Sequence, residues 1–274
     1  MDRPTLFDIP IDNVLMDEAV GLILERAQEC SGEKERFSQV SFVNADCANI
    51  AARNNRYHQV LQSSTLVFAD GIGMRIAGRC LGVPIVDNVN GTDLFPQLLT
   101  AAATSGLRVF LLGGRPGIAA AVQSWIERDY PHVTVVGVEH GYFRADEEDD
   151  VIQRIAASDA HLLLVAFGAP RQEEWIQRHR ARLGVSVAIG VGGLFDYYSG
   201  RIPRAPLFMR KCGLEWCWRW YQEPRRLTRR YLLGNPLFLF RVLWWFLTKR
   251  QSAGPFPERL MNSTNYRKPS PASR

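Results

Sequence analysis

Short apolar runs alternate with longer amphipathic stretches over the first 200 residues of the chain. Nearly continuous apolar runs are typical of strands that are buried on both faces. The stretches between them have the spacing of amphipathic helices, as in residues 47–64 and 115–130. The sequence therefore predicts an α/β fold with a mostly parallel sheet and helices on both faces. The six predicted strand segments, each with the polar or glycine residues that close it, are 38–46, 65–70, 107–114, 133–143, 161–170 and 185–193.

The character of the chain changes near residue 200. Residues 201–250 contain most of the tryptophans and 12 Lys and Arg against 2 Glu, a net charge of +10. Because the whole chain carries +5, the remainder carries −5. A basic, aromatic block on an acidic body predicts an anionic partner, such as a phospholipid surface, a diphosphate-bearing ligand or nucleic acid. We predict a core at 1–200, a basic helical appendage at 201–250 and a disordered tail at 251–274.

The appendage ends in an apolar run, residues 236–249, which Arg241 interrupts. This run is shorter than the roughly 20 residues that a membrane span needs. Tryptophans beside cations favour contact with a membrane interface. The alternative is a core helix whose arginine snorkels to the surface.

Five scattered cysteines without a CxxC pair argue against a zinc site and favour reduced thiols. The N-terminus has no basic region followed by an apolar run, so we expect no signal peptide. Together these features favour a protein of the cytoplasm.

Asp70 stands where a predicted strand runs into the glycine-rich stretch ADGIGM. An aspartate at such a turn most often caps the following helix by accepting backbone N–H groups. The alternative is a catalytic carboxylate at the carboxyl end of a strand, the edge at which parallel sheets bind ligands. Gly71 allows a tight turn or a close ligand approach. The stretch is not a dinucleotide fingerprint, because Ile76 occupies the third glycine position.

Polar or glycine residues also close the other predicted strands. Asn44 and Asp46 either contact a donor or cap a turn. Gly113 and Gly114 open a helix whose N-terminus would suit phosphate oxygens, and a tight connection is the other explanation. At a helix start, Gln172 or Glu173 would hydrogen-bond a sugar or base, and the alternative is an ordinary first turn that begins with Pro170. Gly192, Gly193 and Asp196, after the last strand, are further candidates for the donor. Arg201 and Arg204 are candidates for the acceptor diphosphate or the membrane, and their default is a solvated surface role.

Three arginines of the appendage, Arg219, Arg226 and Arg229, lie seven and three residues apart. On a continuous helix they would share one face, from which several guanidinium groups could clamp a diphosphate. Pro224 lies between them, so the shared face depends on the helix continuing through this proline.

Taken together, these stretches resemble the WecG/TagA/CpsF family of glycosyltransferases. The resemblance rests on FVNADCANIAARN, FADGIGM, NGTDLF, VFLLGG, HGYF, FGAPRQEEW, GVGGLFDYYSGRIPRAP and GLEWCWRWYQEPRRLTRRYL, in the family's order over about residues 42–232. It implies a Rossmann-like core and an inverting hexose transfer from a UDP-sugar to a polyprenyl-diphosphate-linked sugar in cell-surface polysaccharide synthesis. It further implies a peripheral enzyme at the cytoplasmic membrane face, without a metal or other cofactor, and leaves room for a homo-oligomer.

The resemblance also implies roles for individual residues. Asp70 matches the family's proposed base, and Gln172 matches a glutamine of its substrate site. Arg219, Arg226 and Arg229 match the arginines expected to meet the acceptor diphosphate.

One departure from the family concerns the donor. Asn88 stands where many members have an arginine, and we include it among the donor-binding candidates. The form DNVNGTDLF resembles the branch of exopolysaccharide β-1,4-glucosyltransferases, so the expected donor is UDP-glucose. The alternative is transfer from UDP-N-acetylmannosamine, or its uronic acid, to N-acetylglucosaminyl-diphospho-polyprenol.

Two other classes of protein compete with this interpretation. A nucleic-acid-binding module would explain the basic, aromatic block but leaves the strand-end residues without a role. An NAD-dependent enzyme could use such a sheet, and the missing fingerprint argues against it. The expected partners are therefore a UDP-sugar, a polyprenyl-diphosphate-linked sugar and an anionic membrane surface, with no nucleic acid.

Overall fold

A computed structural model describes residues 3–29 and 37–252. Its strands are β1 Thr5–Leu6, β2 Ile9–Pro10, β3 Ser38–Val43, β4 Leu66–Ala69, β5 Arg108–Gly113, β6 Thr134–Glu139, β7 Leu162–Ala166 and β8 Val187–Gly190. Its helices are α1 Met16–Glu29, α2 Ala45–Ala51, α3 Asn55–Ser63, α4 Ile72–Cys80, α5 Gly91–Ser105, α6 Ile118–Asp129, α7 Glu148–Ala157, α8 Arg171–His179, α9 Leu194–Tyr198, α10 Leu207–Lys211, α11 Glu215–Gln222, α12 Pro224–Thr228 and α13 Gly234–Ser252. A π-helical turn, Arg229–Leu233, joins α12 to α13.

The central sheet confirms the predicted α/β, Rossmann-like fold. Its strand order is β4-β3-β8-β7-β5-β6, and every neighbouring pair is parallel. Each of these six strands lies inside a segment that the apolar pattern predicts as a strand. Because all six run in the same direction, the residues that follow them meet at one edge of the sheet.

Alternate residues of the strands face opposite helical layers. Phe68 on β4 faces the core beneath α1 and α5, whereas Val67 faces the core beneath α2, α4 and α13. On β7, Leu164 lies on the first side and Leu163 packs against α7 and α8. Both faces of the sheet are therefore covered, which explains why the strands are nearly continuous apolar runs.

One predicted helix is interrupted. The sequence predicts a helix over residues 47–64, but α2 ends at Ala51 and α3 begins at Asn55. Asn54 has an extended backbone, and its side chain caps α3 by accepting the N–H of Tyr57 at 3.1 Å. The prediction of one continuous helix was therefore wrong, because an asparagine side chain replaces the helical hydrogen bonds at this point.

The last helix packs against the core. α13 lies on α2 and α4, and its Phe238 and Val242 are 1% and 4% exposed in the same cluster as Val67. Near the start of the appendage, Arg204 pairs with Asp93 of α5 at 2.5 Å. Most of the predicted tail, residues 253–274, lies outside the described residues.

The opposite face of α13 is apolar and exposed. Leu239, Phe240, Leu243, Trp244 and Leu247 are each 50–61% exposed. The continuous helical segment Pro224–Thr248 is 25 residues long, and by length and composition alone it could cross a membrane. The expectation that this region is too short for a span considered only residues 236–249, and the helix extends that run toward its N-terminus.

Truncating Phe238 to alanine should destabilise the protein by about 3–5 kcal/mol, because the lost ring leaves a cavity between α13 and the core. Phe240, two residues along the same helix and 61% exposed, provides a matched control. Its truncation should change stability by less than about 0.5 kcal/mol. Urea denaturation of both variants measures the difference, and equal losses would contradict the packing of α13 described above.

Candidate active site

The parallel register of β3 and β4 sets two candidate residues side by side. Val43 pairs with Ala69 at the ends of the two strands. The residues that follow them, Asn44 and Asp70, therefore meet at the carboxyl edge. Asn44 Nδ2 donates to Asp70 Oδ2 at 3.4 Å. Asn44 Oδ1 also accepts the N–H groups of the first turn of α2 at 3.1 Å each. Asn44 therefore caps a helix, which was one of its two predicted roles, and its amide also contacts Asp70.

Asp70 does not cap the helix that follows it. The N-cap of α4 is Gly71, at a φ of +88°, and no side chain caps this helix. The N–H of Gly71 donates to Asn88 Oδ1 at 2.5 Å, so Asn88 holds the turn. The partly buried Asp70 carboxylate is left at the sheet edge, with Asn44 as its side-chain partner. The more common explanation for an aspartate at this position, a helix cap, does not apply.

Charged groups of the appendage act on Asp70. Burial raises the pKa of the Asp70 carboxyl above its ordinary value. The hydrogen bond from Asn44 lowers that pKa, the negative charge of Glu215 adds to the rise, and the positive charges of Arg230 and Arg219 oppose it. A carboxylate whose pKa is shifted by burial and by specific charges at a sheet edge has the properties of a general base.

Two arginines from the appendage reach this edge. The guanidinium of Arg219 lies 4.9 Å from the ring centre of Tyr197 and beside Gly193, where any side chain would collide with it. Its Nε is buried without a hydrogen-bond partner among the described residues. Arg230 Nε lies 3.1 Å from Asp46 Oδ2. The structure thus brings four predicted residues with polar or charged side chains to one place, namely Asn44, Asp46, Asp70 and Arg219. It adds Arg230, which nothing in the sequence distinguishes from its arginine neighbours.

The condition for a shared face of Arg219, Arg226 and Arg229, a helix that continues through Pro224, is not met. Pro224 begins a new helix, α12, after Glu223 leaves the helical conformation with φ −128° and ψ 58°. Arg226 pairs with Glu223 at 2.5 Å on the surface, and Arg229 is exposed. Because the proline breaks the helix, the segment that follows Pro224 presents Arg230 to the site instead.

Gln172 ties two strand ends together. Its Oε1 accepts the N–H groups of Gly168 and Gly192, which follow β7 and β8, at 3.0 and 2.9 Å. Its Nε2 donates to Glu173 Oε1 at 2.7 Å, and Glu173 is fully buried. Gln172 therefore holds the two turns in place, and the buried Glu173 accepts a hydrogen bond from it. The expectation that one of them hydrogen-bonds a sugar or base directly finds no exposed group here.

The glycine turns have already used several of their amides. Gly71 and Gly192 donate to side chains, and Gly114 donates to the carbonyl of Ala166 at 3.1 Å. Gly113, at a φ of +135°, comes so close to Ala166 that a Cβ would lie 2.6 Å from its carbonyl oxygen. A tight connection, one of the two explanations that the sequence left open, thus accounts for Gly113 and Gly114. The nearby Arg219 and Arg230 are further donors at this edge.

The acidic and basic residues after β8 pair with one another. Arg201 Nη1 lies 2.7 Å from Asp196 Oδ1. Arg204 contacts Asp93 at 2.5 Å and lies 3.6 Å from Glu215. These residues connect the end of the core to α11, so they have a structural role rather than the purely solvated one.

The fold and this edge together define an α/β enzyme of the Rossmann-like class with an ionisable carboxylate and two arginines at its site. Residues 4–252 match the family model described as "Glycosyl transferase WecG/TagA/CpsF family". The chain belongs to this family of glycosyltransferases, which confirms the resemblance seen in its sequence.

Two relatives bear the name N-acetylglucosaminyldiphosphoundecaprenol N-acetyl-beta-D-mannosaminyltransferase. The protein of Bacillus spizizenii strain W23 is 35% identical over 193 residues, which are 70% of this chain and 74% of the relative. The protein of Bacillus subtilis strain 168 is 33% identical over 204 residues, which are 74% of this chain and 78% of the relative.

Glu173 should make the stability of the protein depend on pH. Burial raises the pKa of its carboxyl from 4.5 to about 7, so the folded protein holds a proton that the unfolded chain releases. The stability from the protonated carboxyl is complete below pH 4.5 and is lost as pH rises through about 7. Glu173→Gln stays neutral throughout, so we expect it to exceed the wild type by about 3 kcal/mol above this range and to match it at the acidic end.

Urea midpoints of both proteins across this pH range measure the effect. Glu174→Gln, at the partly exposed neighbouring position, removes a negative charge that helps to raise the pKa of Glu173, so this variant should keep the pH dependence with its midpoint at a slightly lower pH. A wild type and a Glu173→Gln variant with the same pH dependence would contradict a buried, protonated carboxyl.

Proposed function

We propose that this protein transfers N-acetylmannosamine from its UDP-linked donor to the N-acetylglucosamine of a polyprenyl-diphosphate-linked acceptor, forming a β-linkage. The observation that carries the proposal is an Asp70 carboxylate that caps no helix and lies at the sheet edge beside Asn44. The names of both relatives favour this sugar. The main expectation from the sequence was glucose, and the alternative named there has the better support.

Asp70 acts as the base in this mechanism. Its carboxylate removes the proton from the acceptor hydroxyl as that oxygen attacks the anomeric carbon of the donor. The new carbon–oxygen bond forms opposite the bond to UDP, which breaks with its electron pair on the diphosphate. One displacement of this kind inverts an α-linked donor into a β-linked product. Asn44 keeps the carboxylate in place through its 3.4 Å hydrogen bond.

Arg219 and Arg230 supply the positive charge for the diphosphates. The amides of Gly71, Gly114 and Gly192 are hydrogen-bonded within the protein, whereas Arg219 Nε has no protein partner among the described residues. Guanidinium groups bind phosphate oxygens in bidentate fashion, and in a partly desolvated site they stabilise the charge that develops on the leaving group.

Glucose is the second candidate donor sugar. Asn88 is neutral where many family members have an arginine, and its side chain holds the Gly71 turn next to Asp70. A site without that cation would suit a neutral donor sugar, which argues against a uronic acid and is compatible with glucose as well as N-acetylmannosamine. The two candidates share the same base and the same geometry of attack.

Membrane contact belongs to the same proposal. The division into a core, residues 1–200, and an appendage, residues 201–250, places the exposed apolar face of α13 in the appendage. Trp244 and the exposed Arg229 and Arg226 suit the boundary between acyl chains and anionic headgroups. We therefore propose a peripheral enzyme at the cytoplasmic membrane face, where a lipid-linked acceptor is available.

Replacing Asp70 with asparagine should lower kcat by about 10²- to 10⁴-fold, because the amide cannot accept the acceptor proton. Transfer to a synthetic lipid-linked acceptor in detergent measures the loss, and circular dichroism checks the fold. A folded variant with wild-type turnover would rule out Asp70 as the base.

Arg230→Gln separates a base from a merely structural carboxylate. Because a base must be ionised to act, kcat/KM falls as the pH decreases through the raised pKa of the Asp70 carboxyl. Removing the positive charge of Arg230 raises that pKa further, so the acidic limb of the pH profile should move to higher pH. An unchanged limb would argue that another group titrates.

The donor is tested by offering UDP-N-acetylmannosamine, UDP-glucose and UDP-N-acetylglucosamine in parallel, with N-acetylglucosaminyl- and glucosyl-diphospho-lipids as acceptors. We expect a lipid product whose mass shows N-acetylhexosamine addition only with the first donor and the N-acetylglucosaminyl acceptor. Transfer from UDP-glucose alone would keep the enzyme class and overturn the choice of sugar.

A further inference from the structure

A cavity lies away from the sheet edge that holds Asp70. It measures about 470 Å³ and is enclosed by the turn between β1 and β2, the connection between α2 and α3, and one flank of α13. Its walls include Phe7, Arg53, His58, Arg241 and Trp245, none of which contributes to the surroundings of Asp70. The volume lies within the range of small-molecule sites.

A strained turn builds one wall of this cavity. Phe7 and Asp8 form the two-residue connection between β1 and β2, with φ values of +58° and +59°. Asparagine and glycine are the usual residues at such positions, and a phenylalanine there is uncommon. The Phe7 ring packs edge-on against Phe238 at 5.7 Å and Trp245 at 5.6 Å between ring centres. The strained turn thus holds the hairpin against α13 and closes the cavity.

The cavity contains cations that the protein does not neutralise. Arg53 and Arg241 form no salt bridge within the described part of the chain, and Arg241 Nε is buried without a hydrogen-bond partner. Two appendage arginines near the core, Arg204 and Arg230, are paired with acidic residues instead. Asp8 also lines the cavity and its side chain is exposed. Two unpaired arginines against one acid favour an anionic ligand.

The position of the cavity indicates where that anion comes from. Arg241 lies on the flank of α13, between the buried Phe238 and Val242 on one side and the exposed Leu243 and Trp244 on the other. A helix that rests on a bilayer through its apolar face has its flanks at the depth of the headgroups. The cavity would therefore open at the level of lipid phosphates.

We propose that this cavity binds the phosphate of an anionic phospholipid headgroup, in addition to the contact that α13 makes with the bilayer. The proposal rests on the membrane contact of the proposed function and assigns the enzyme a lipid preference. Arg53 and Arg241 bind the phosphate, and the aromatic wall of Phe7 and Trp245 packs against the glycerol.

A soluble short-chain phosphatidylglycerol, kept below its micelle-forming concentration, tests the cavity without a bilayer. Calorimetry on the full chain should detect its binding. Arg53→Gln and Arg241→Gln should each weaken the affinity by about fivefold, as expected for one cation near an anionic lipid. Arg180→Gln, at the exposed end of α8, is the matched control and should bind like the wild type.

Three results would overturn the proposal. The first is equal binding of short-chain phosphatidylcholine, and the second is wild-type affinity in the doubly substituted protein. The third is inorganic phosphate that binds as tightly as the lipid, which would make this a free-phosphate site. The membrane contact is tested separately, by flotation of Phe240→Glu with vesicles of phosphatidylcholine and phosphatidylglycerol. Loss of flotation with retained short-chain lipid binding supports both proposals, and unchanged flotation contradicts only the contact by α13.

Discussion

The register between β3 and β4 is the constraint on which the candidate site depends. Val43 pairs with Ala69, and this pairing sets Asn44 beside Asp70 although 26 residues separate them in the chain. A shift by one residue would turn the side chains of the strand to the opposite face. Both strands are buried on both faces, so such a shift would also disrupt two apolar layers. The same packing that stabilises the sheet therefore fixes the position of the carboxylate.

A second constraint concerns where the positive charge comes from. Glycine turns at strand ends often bind anions through free amides, but here three of these amides have protein acceptors. In the proposed mechanism the positive charge comes from side chains of another segment, because Arg219 and Arg230 both belong to the appendage. Asp46 partly neutralises Arg230 at 3.1 Å, which reduces the cost of desolvating the guanidinium. In the proposed mechanism, a diphosphate would compete with Asp46 for the same guanidinium group.

The sequence predicts the sheet well because buried parallel strands leave an unmistakable apolar pattern, and all six strand segments are confirmed. It also predicts that Asp70 lies at a strand end. It does not predict which hydrogen bonds the turns make, since Gln172 reaches Gly192 only through the folded sheet. The sequence shows that Pro224 could break the helix. It does not show that Arg230 would face the site, because this depends on the packing of α13 against the core. The tight connection at Gly113 likewise depends on its neighbour Ala166.

The packing of α13 connects the exposed apolar face of this helix with the candidate site. The π-helical turn that contains Arg230 leads directly into α13, and the carbonyl of Gly234 at their junction accepts a hydrogen bond from Asn49 Nδ2 at 2.7 Å. Phe238 fixes the depth of the helix in the core, one turn beyond this junction. The orientation of Arg230 is therefore determined by how α13 sits on α2. The other face of α13 is exposed and apolar. Any surface that covers this face contacts the same helix that positions Arg230 beside Asp46 and Asp70.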